Sequence, residues 1–304
     1  MPDVILKHVP GMKNASPVTV LEAGELRENV FRETYISGGR PCLIKGAVRH
    51  WAALEKWHDR EYLQKLGGHH QVVYAPHENH VSLKRTEPGK QIMTFAEALD
   101  RLHSAEYKVA ACGTSVPTEL AADLGDFSFL TRTEPGFLYP PIRYFFHRNA
   151  GSSWHYHPFD ETLMCQIIGT KKVGLLNAEN SLHKTVRDVF LKEDYYDHAF
   201  AFDGVANADL HWLSATVEQG DALYIPPLWW HGVIPVREGF GVTAAVIWRS
   251  QLDVVANTIK KMATGEIDMI GAFAPAQFQN LFEVASKMGV EQELAKAWKR
   301  GIRE

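Results

Sequence analysis

The stretch Gly151-Ser-Ser-Trp-His155-Tyr-His157-Pro-Phe-Asp-Glu161 places three potential metal ligands in one short segment. Successive side chains of a β-strand point to opposite faces, so His155 and His157 would share one face. Glu161 follows His157 by four positions and keeps this phase on a continuous strand. Two imidazoles and a carboxylate on one face are typical of mononuclear Fe(II) enzymes. The segment therefore predicts a metal centre built on a β-strand.

A second stretch, Gly220-Asp-Ala-Leu-Tyr-Ile-Pro-Pro-Leu-Trp-Trp-His231, supplies one more histidine. It begins as a short apolar strand, passes through two prolines and ends at His231. In a barrel whose strands face each other across the interior, His231 would reach the first three ligands. The complete predicted set is therefore His155, His157, Glu161 and His231, which leaves open positions on an octahedral ion.

The segments around these motifs predict a mainly β fold with helical additions. Between residues 137 and 250, short β-rich segments alternate with Gly, Pro and Asn turns, a pattern typical of a β-sandwich or barrel. Residues 1–136 read as helices and strands integrated with this barrel. Residues 251–304 read as C-terminal helices with apolar stripes. We expect one barrel core extended at both ends rather than two independent domains.

Composition narrows the class of protein. The 304 residues are 45% hydrophobic and 22% charged, an ordinary profile for a soluble globular protein. A net charge of −4 gives no electrostatic footprint for nonspecific nucleic-acid binding. No apolar run is long enough to span a membrane, and no signal peptide is visible. Three cysteines without CxxC spacing indicate a reducing compartment, so we expect a cytoplasmic protein: Cys42, Cys112 and Cys165.

Taken together, these motifs resemble the JmjC-type, cupin-like hydroxylases of the Fe(II)/2-oxoglutarate oxygenase superfamily. The resemblance runs over most of residues 18–250, and the Gly220–His231 block is its most specific part. Further matching motifs are Arg40-Pro-Cys-Leu-Ile-Lys-Gly46, His50-Trp51 followed by Trp57, and Gln166-Ile-Ile-Gly-Thr-Lys-Lys172. The resemblance implies a double-stranded β-helix (jelly-roll, cupin) core, with N-terminal α/β elements and a C-terminal helical segment. It also implies Fe(II), 2-oxoglutarate and O₂ as cofactor and co-substrates.

The resemblance also assigns roles to individual residues. His155 and His231 match the two metal histidines of the family. Lys171 matches the lysine that pairs with the distal carboxylate of 2-oxoglutarate, and Ser152 matches a hydroxyl position that assists it. His157 departs from the pattern, because the family has aspartate there.

This departure leaves two ligand sets open. The first contains His155, His157, Glu161 and His231. The second contains His155 and His231 with one carboxylate, Glu161 or Asp160, while His157 is redirected. On a regular strand, Asp160 has the wrong phase.

The resemblance favours a 2-oxoglutarate-dependent hydroxylase, and two alternatives stay open. One is a cupin-type metal oxygenase with a three-His, one-Glu site that does not use 2-oxoglutarate. Four protein ligands leave two positions on an octahedral ion, too few for bidentate 2-oxoglutarate plus O₂. The other alternative is a non-catalytic cupin-like binding protein.

The substrate and partners follow only in outline. A small molecule or an amino-acid side chain is the expected substrate, an RNA base would also fit, and no membrane is involved. Residues 177–214 form a long insertion that we expect to shape the substrate site. Related hydroxylases often dimerise through C-terminal helices, so the apolar stripes here pack either on their own barrel or in a homodimer.

Overall fold

The structure is a computed structural model that describes Leu6, Val9 and residues 11–77, 91–104, 109–115, 118–178, 210–267 and 275–301. Most of the predicted insertion at 177–214 lies outside these residues. The fold is mainly β with helical additions, which confirms the predicted class. Two sheets contain fourteen strands among the described residues. In chain order these are β1 Ser16–Pro17, β2 Thr19–Glu22, β3 Cys42–Lys45, β4 Gln71–His77, β5 Gln91–Thr94, β6 Val109–Ser115, β7 Ile142–Arg148, β8 Ser152–His155, β9 Asp160–Ile168, β10 Lys171–Asn177, β11 Leu213–Val217, β12 Ala222–Ile225, β13 Trp229–Pro235 and β14 Phe240–Arg249.

The two sheets divide the strands unequally. The small sheet has the order β1-β11-β10-β13-β8. The large sheet has the order β2-β3-β12-β9-β14-β7-β6-β4-β5. The pairs β1–β11 and β2–β3 are parallel, and the other described pairs are antiparallel. The N-terminal strands β2 to β6 thus extend the same large sheet that carries β7, β9, β12 and β14.

The helices flank the sheets. They are α1 Glu28–Val30, which continues as a π-helical segment Phe31–Ile36, and then α2 Ala53–Lys56, α3 Arg60–Gly67, α4 Phe95–His103, α5 Thr118–Ala121, α6 Leu252–Thr264, α7 Pro275–Lys287 and α8 Glu291–Gly301. Thr94 and Glu97 form a capping box at the start of α4. Helices α2 and α3 are separate, because the Asp59 side chain accepts the backbone N–H groups of Glu61 and Tyr62 and starts α3 anew.

Three apolar layers show which way each strand faces. Met164, Leu223 and Val233 belong to a cluster with members from both sheets, and this cluster fills the barrel interior. Leu163, Cys165 and Tyr224 belong to a second cluster that joins the outer face of the large sheet to the N-terminal helices. Even and odd residues of β9 therefore face opposite cores, as strand geometry requires.

A third cluster joins the outer face of the small sheet to the C-terminal helices. Trp154 and Trp230 from this sheet pack with Val255, Ile259 and Leu281. The C-terminal apolar stripes are thus buried on the chain's own barrel, and a homodimer through these helices stays a prediction. Within the described residues, no helix is both long and apolar enough to cross a membrane.

Candidate metal centre

Three histidines converge inside the barrel. His155 ends β8, His157 follows in the next turn, and His231 lies in β13 directly opposite His155. One ligand nitrogen from each lies within 4.8 Å of the others. The neighbouring Trp154 and Trp230 point outward into the helix-packing cluster, so His155 and His231 point inward.

The second ring nitrogens of two histidines are held by the protein. Nδ1 of His231 donates to the backbone carbonyl of Trp229 at 2.9 Å, which leaves the lone pair on Nε2. Nδ1 of His157 bonds the hydroxyl of Thr162 at 2.7 Å. Such partners fix the orientation of metal-ligating imidazoles. Burial is the main cause that holds the pKa of both rings well below the ordinary value, so both are neutral and able to bind a metal.

The donor set suits a metal ion on chemical grounds. Imidazole nitrogen is a common ligand of Fe, Zn, Cu and Ni. His157 belongs to the convergent group rather than being redirected, as in the first of the two ligand sets. The predicted ligands His155, His157 and His231 are thus brought together by the fold.

Glu161 is not brought to this group, and here the predicted four-ligand set needs correction. Its carboxylate oxygens accept hydrogen bonds from the Tyr224 hydroxyl at 2.6 Å and the Ser250 hydroxyl at 2.5 Å. These contacts lie on the outer face of the large sheet. The phase argument fails because β8 ends at His155 and β9 begins at Asp160, so the turn between them breaks the alternation.

Asp160 has a structural role instead. Its two oxygens accept the backbone N–H groups of Phe137 and Leu138 at 2.7 and 2.8 Å. The residue is fully buried, and burial raises the pKa of its carboxyl to about 6. Asp160 therefore holds the segment before β7 against β9, and it is outside the three-histidine group.

Lys171 faces the interior, and Lys172 is exposed. The Lys171 ammonium donates to the backbone carbonyl of Ala150 at 2.7 Å. Burial lowers the pKa of this lysine to about 7. Ser152 is partly exposed in β8 and pairs with Val233, while Lys171 pairs with Pro235 on the other side of β13. The two predicted cosubstrate residues thus flank one strand.

His147 is a site residue that the motif analysis missed. It lies in β7 with 5% of its surface exposed, and neither ring nitrogen has a hydrogen-bond partner among the described residues. Burial is the larger cause that holds the pKa of His147 well below its ordinary value, and the positive charge of Lys171 is the smaller one. The two side chains are therefore close. Opposite it, Gly241 has no side chain, and a Cβ there would lie 2.4 Å from the His147 ring.

Arg143 was also missed, although the alternation of side chains along β7 shows that it shares a face with His147. Tyr144 and Phe146 pack in the outer cluster, so Arg143, Phe145 and His147 face inward. The alternation is visible in the sequence, but the sequence does not show which face of a strand with aromatic residues on both sides is the interior.

A second possible metal group lies at the surface. His69, His70 and Glu119 also bring three ligand atoms within 4.8 Å. The centroids of the two imidazole rings lie 4.2 Å apart with their planes tilted by 36°, and the His70 Nε2 to Glu119 carboxylate distance is 3.5 Å. His69 and Glu119 are exposed.

Comparison with known families places this fold. The model of the cupin-like domain family matches residues 27–254, three quarters of the chain. The chain belongs to this family. The match covers the JmjC-like barrel, including all three histidines, and confirms the resemblance found in the motifs.

Curated relatives carry JmjC names. The chain is 25% identical over 239 residues to Jumonji C domain-containing protein 5 of Drosophila melanogaster, covering 73% of this chain and 58% of the relative. It is 21% identical over 252 residues to lysine-specific demethylase JMJ30 of Arabidopsis thaliana, covering 76% and 55%. It is 24% identical over 244 residues to arginine-specific demethylase JMJ22 of the same plant, covering 75% and 46%. The match thus spans about half of each relative's length.

Proposed function

We propose that this protein is an Fe(II)- and 2-oxoglutarate-dependent oxygenase whose metal is held by His155, His157 and His231. The convergence of three inward-facing histidines is the observation that carries the proposal. Bound Fe(II) would supply oxygen activation, with 2-oxoglutarate and O₂ converted to succinate, CO₂ and a hydroxylated substrate. The JmjC names of the relatives agree with this class of reaction.

The ligand count supports 2-oxoglutarate as cosubstrate. With Glu161 bonded to Tyr224 and Ser250, three protein ligands remain. An octahedral ion held by these three residues would have room for a chelating 2-oxoacid and for O₂. A site with three protein ligands therefore supports the use of 2-oxoglutarate, whereas a four-ligand site would argue against it.

The buried cation at the other end of the interior supports the same cosubstrate. A buried ammonium with one carbonyl acceptor in the described part of the chain is costly and gains from an anionic partner. We assign Lys171 to the distal carboxylate, assisted by Ser152. A neutral imidazole keeps one N–H group, so the buried His147 ring, whose nitrogens have no partner among the described residues, provides a further donor to the same oxygens.

The residues of the chain hold the reacting groups and shield them from water. Thr162 and the Trp229 carbonyl orient two of the imidazoles. On the outer face of the small sheet, Trp154 and Trp230 pack against the C-terminal helices. This packing supports β8 and β13, the strands that carry His155 and His231. This division gives the protein the tasks of orientation and water exclusion.

The test is anaerobic reconstitution with Fe(II), followed by spectroscopic titration with 2-oxoglutarate. Bidentate chelation would appear as a visible charge-transfer band, and succinate release on admission of air would follow. Lys171→Met should raise the Kd for 2-oxoglutarate about ten- to a hundredfold, because one charged hydrogen bond is lost. Lys172→Met, one residue along on the exposed face, is the matched control and should leave the Kd unchanged. Iron binding without a band or succinate would reject the proposal.

One observation favours a second candidate, a three-histidine oxygenase that does not use 2-oxoglutarate. His157 replaces the carboxylate of the family and changes the charge of the centre. For this candidate, Fe(II) binding would persist, no charge-transfer band would form, and Lys171→Met would have no effect on turnover. The same titration therefore separates the two functions.

A further inference from the structure

Arg143 brings a positive charge to the three-histidine centre. The residue lies on the inward face of β7, and its charge contributes to lowering the pKa of His157. The ring of Tyr139 contacts both residues: its centroid lies 5.2 Å from that of the His157 ring and 4.7 Å from the guanidinium carbon of Arg143. Arg143 is therefore close to the metal ligands without being one of them.

Two aromatic rings hold the guanidinium. Its central carbon lies 4.7 Å from the centroid of Tyr139 and 5.0 Å from that of Phe145. Cation–π contacts of this kind fix the plane of an arginine and leave its N–H donors free at the edge. The arginine is thus positioned as a binding group.

No acidic side chain neutralises this charge among the described residues. The carboxylate of Asp160 is occupied by two backbone N–H groups, and Glu161 faces the opposite side of the large sheet. Neither an ion pair nor a hydrogen bond of Arg143 occurs within the described part of the chain. A guanidinium that is partly buried without an acid is expected to bind an external anion.

The metal ligands add no negative charge that would offset Arg143. Replacement of the family's aspartate by His157 removes one negative charge from the centre. Bound 2-oxoglutarate, a dianion, would balance the charge of a divalent ion held by three neutral imidazoles, so Arg143 would remain as the unpaired positive group beside it. A cationic group would be repelled from this part of the barrel, and a carboxylate would be attracted.

We propose that the substrate carries a carboxylate that binds Arg143 beside the metal, and that this site rejects the cationic methylated side chains of lysine and arginine. The inference rests on the proposed function only in placing the reaction at the three histidines. It sets this chain apart from its relatives that are named lysine- or arginine-specific demethylases.

The test compares three probes that share one ring and differ in charge: benzoate, benzamide and benzylamine. Their binding to the Fe(II)-loaded protein with saturating 2-oxoglutarate is measured anaerobically by calorimetry. Benzoate should bind more tightly than benzamide, while benzylamine and a trimethyl-lysine peptide should give no signal. Tighter binding of benzylamine than benzoate, or binding of the peptide, would overturn the proposal without any variant.

A pair of variants tests the residue itself. Arg143→Gln should weaken benzoate about ten- to a hundredfold and leave benzamide unchanged, because only the charged contact is lost. Arg148→Gln, on the opposite face of the same strand, is the matched control. Equal benzoate affinity in both variants would reject the role of Arg143. Calorimetry measures the binding of the probe, and the visible band measures the binding of 2-oxoglutarate. A missing band would therefore reject 2-oxoglutarate as the cosubstrate, while the probe series would still test Arg143.

Discussion

The two faces of β9 carry neighbouring polar residues with opposite tasks. Thr162 faces the barrel interior and holds the imidazole of His157. Glu161, one residue earlier, faces the outer core and is enclosed by Tyr224 and Ser250. Both residues are buried, so burial alone does not identify a functional group. Which core a side chain enters decides whether it serves the metal or the packing of the sheet.

Removal of an interior ligand should have the largest effect on metal affinity. His231→Ala should reduce metal affinity by more than about a hundredfold, beyond the range for outer-shell partners. Affinity is measured by competition with a chelator in a His69→Ala background, which removes the surface cluster. The exposed His58→Ala serves as control. Unchanged stoichiometry in the His231 variant would mean that the ion binds elsewhere.

A smaller loss of metal affinity is expected when the changed residue contacts a metal ligand but is not itself a ligand. Thr162→Val keeps the shape of the side chain but removes the hydroxyl that bonds His157. Metal affinity should fall about ten- to a hundredfold, as for other outer-shell partners of histidine ligands. Thr243→Val is the control, because its interior hydroxyl bonds Gln166 at 2.9 Å instead. Equal losses in both variants would attribute the effect to general destabilisation.

A substitution on the outer face of β9 should have no effect on metal affinity. Glu161→Gln keeps two polar atoms between Tyr224 and Ser250 and should bind the metal as the wild type does. A tenfold loss would restore Glu161 as a ligand. The control is the exposed Glu55→Gln.

The same variant should change how stability depends on pH. Burial raises the pKa of Glu161 from 4.5 to about 7, so the folded state favours the protonated acid. This contribution is fully present below pH 4.5 and is lost as the pH rises through 7. Relative to wild type, Glu161→Gln should therefore gain about 3 kcal/mol in the free energy of unfolding between pH 4.5 and 8. Urea titrations of both proteins at pH 4.5 and pH 8 measure this difference. If the free energy of unfolding changes equally with pH in the two proteins, Glu161 is ionised in the folded protein.

Local patterns predicted the parts of the fold and site that depend on short-range order. The strand period and the Trp-Trp-His block singled out His155, His157 and His231, which the fold brings close together. The phase extended to Glu161 was wrong because it crossed the turn between β8 and β9. Arg143 and His147 could not be assigned, since both faces of β7 carry large side chains and only the packed sheet distinguishes them. A single sequence records the alternation but not the direction of the core.

The pairing of His155 with His231 has a consequence for folding. These residues are brought together by β8 and β13, which close a long loop of chain. An unfolded chain keeps His155 and His157 adjacent but pays loop-closure entropy to add His231. The ion therefore binds the folded state far better than the unfolded one. By linkage, its concentration should set the melting temperature of the whole barrel.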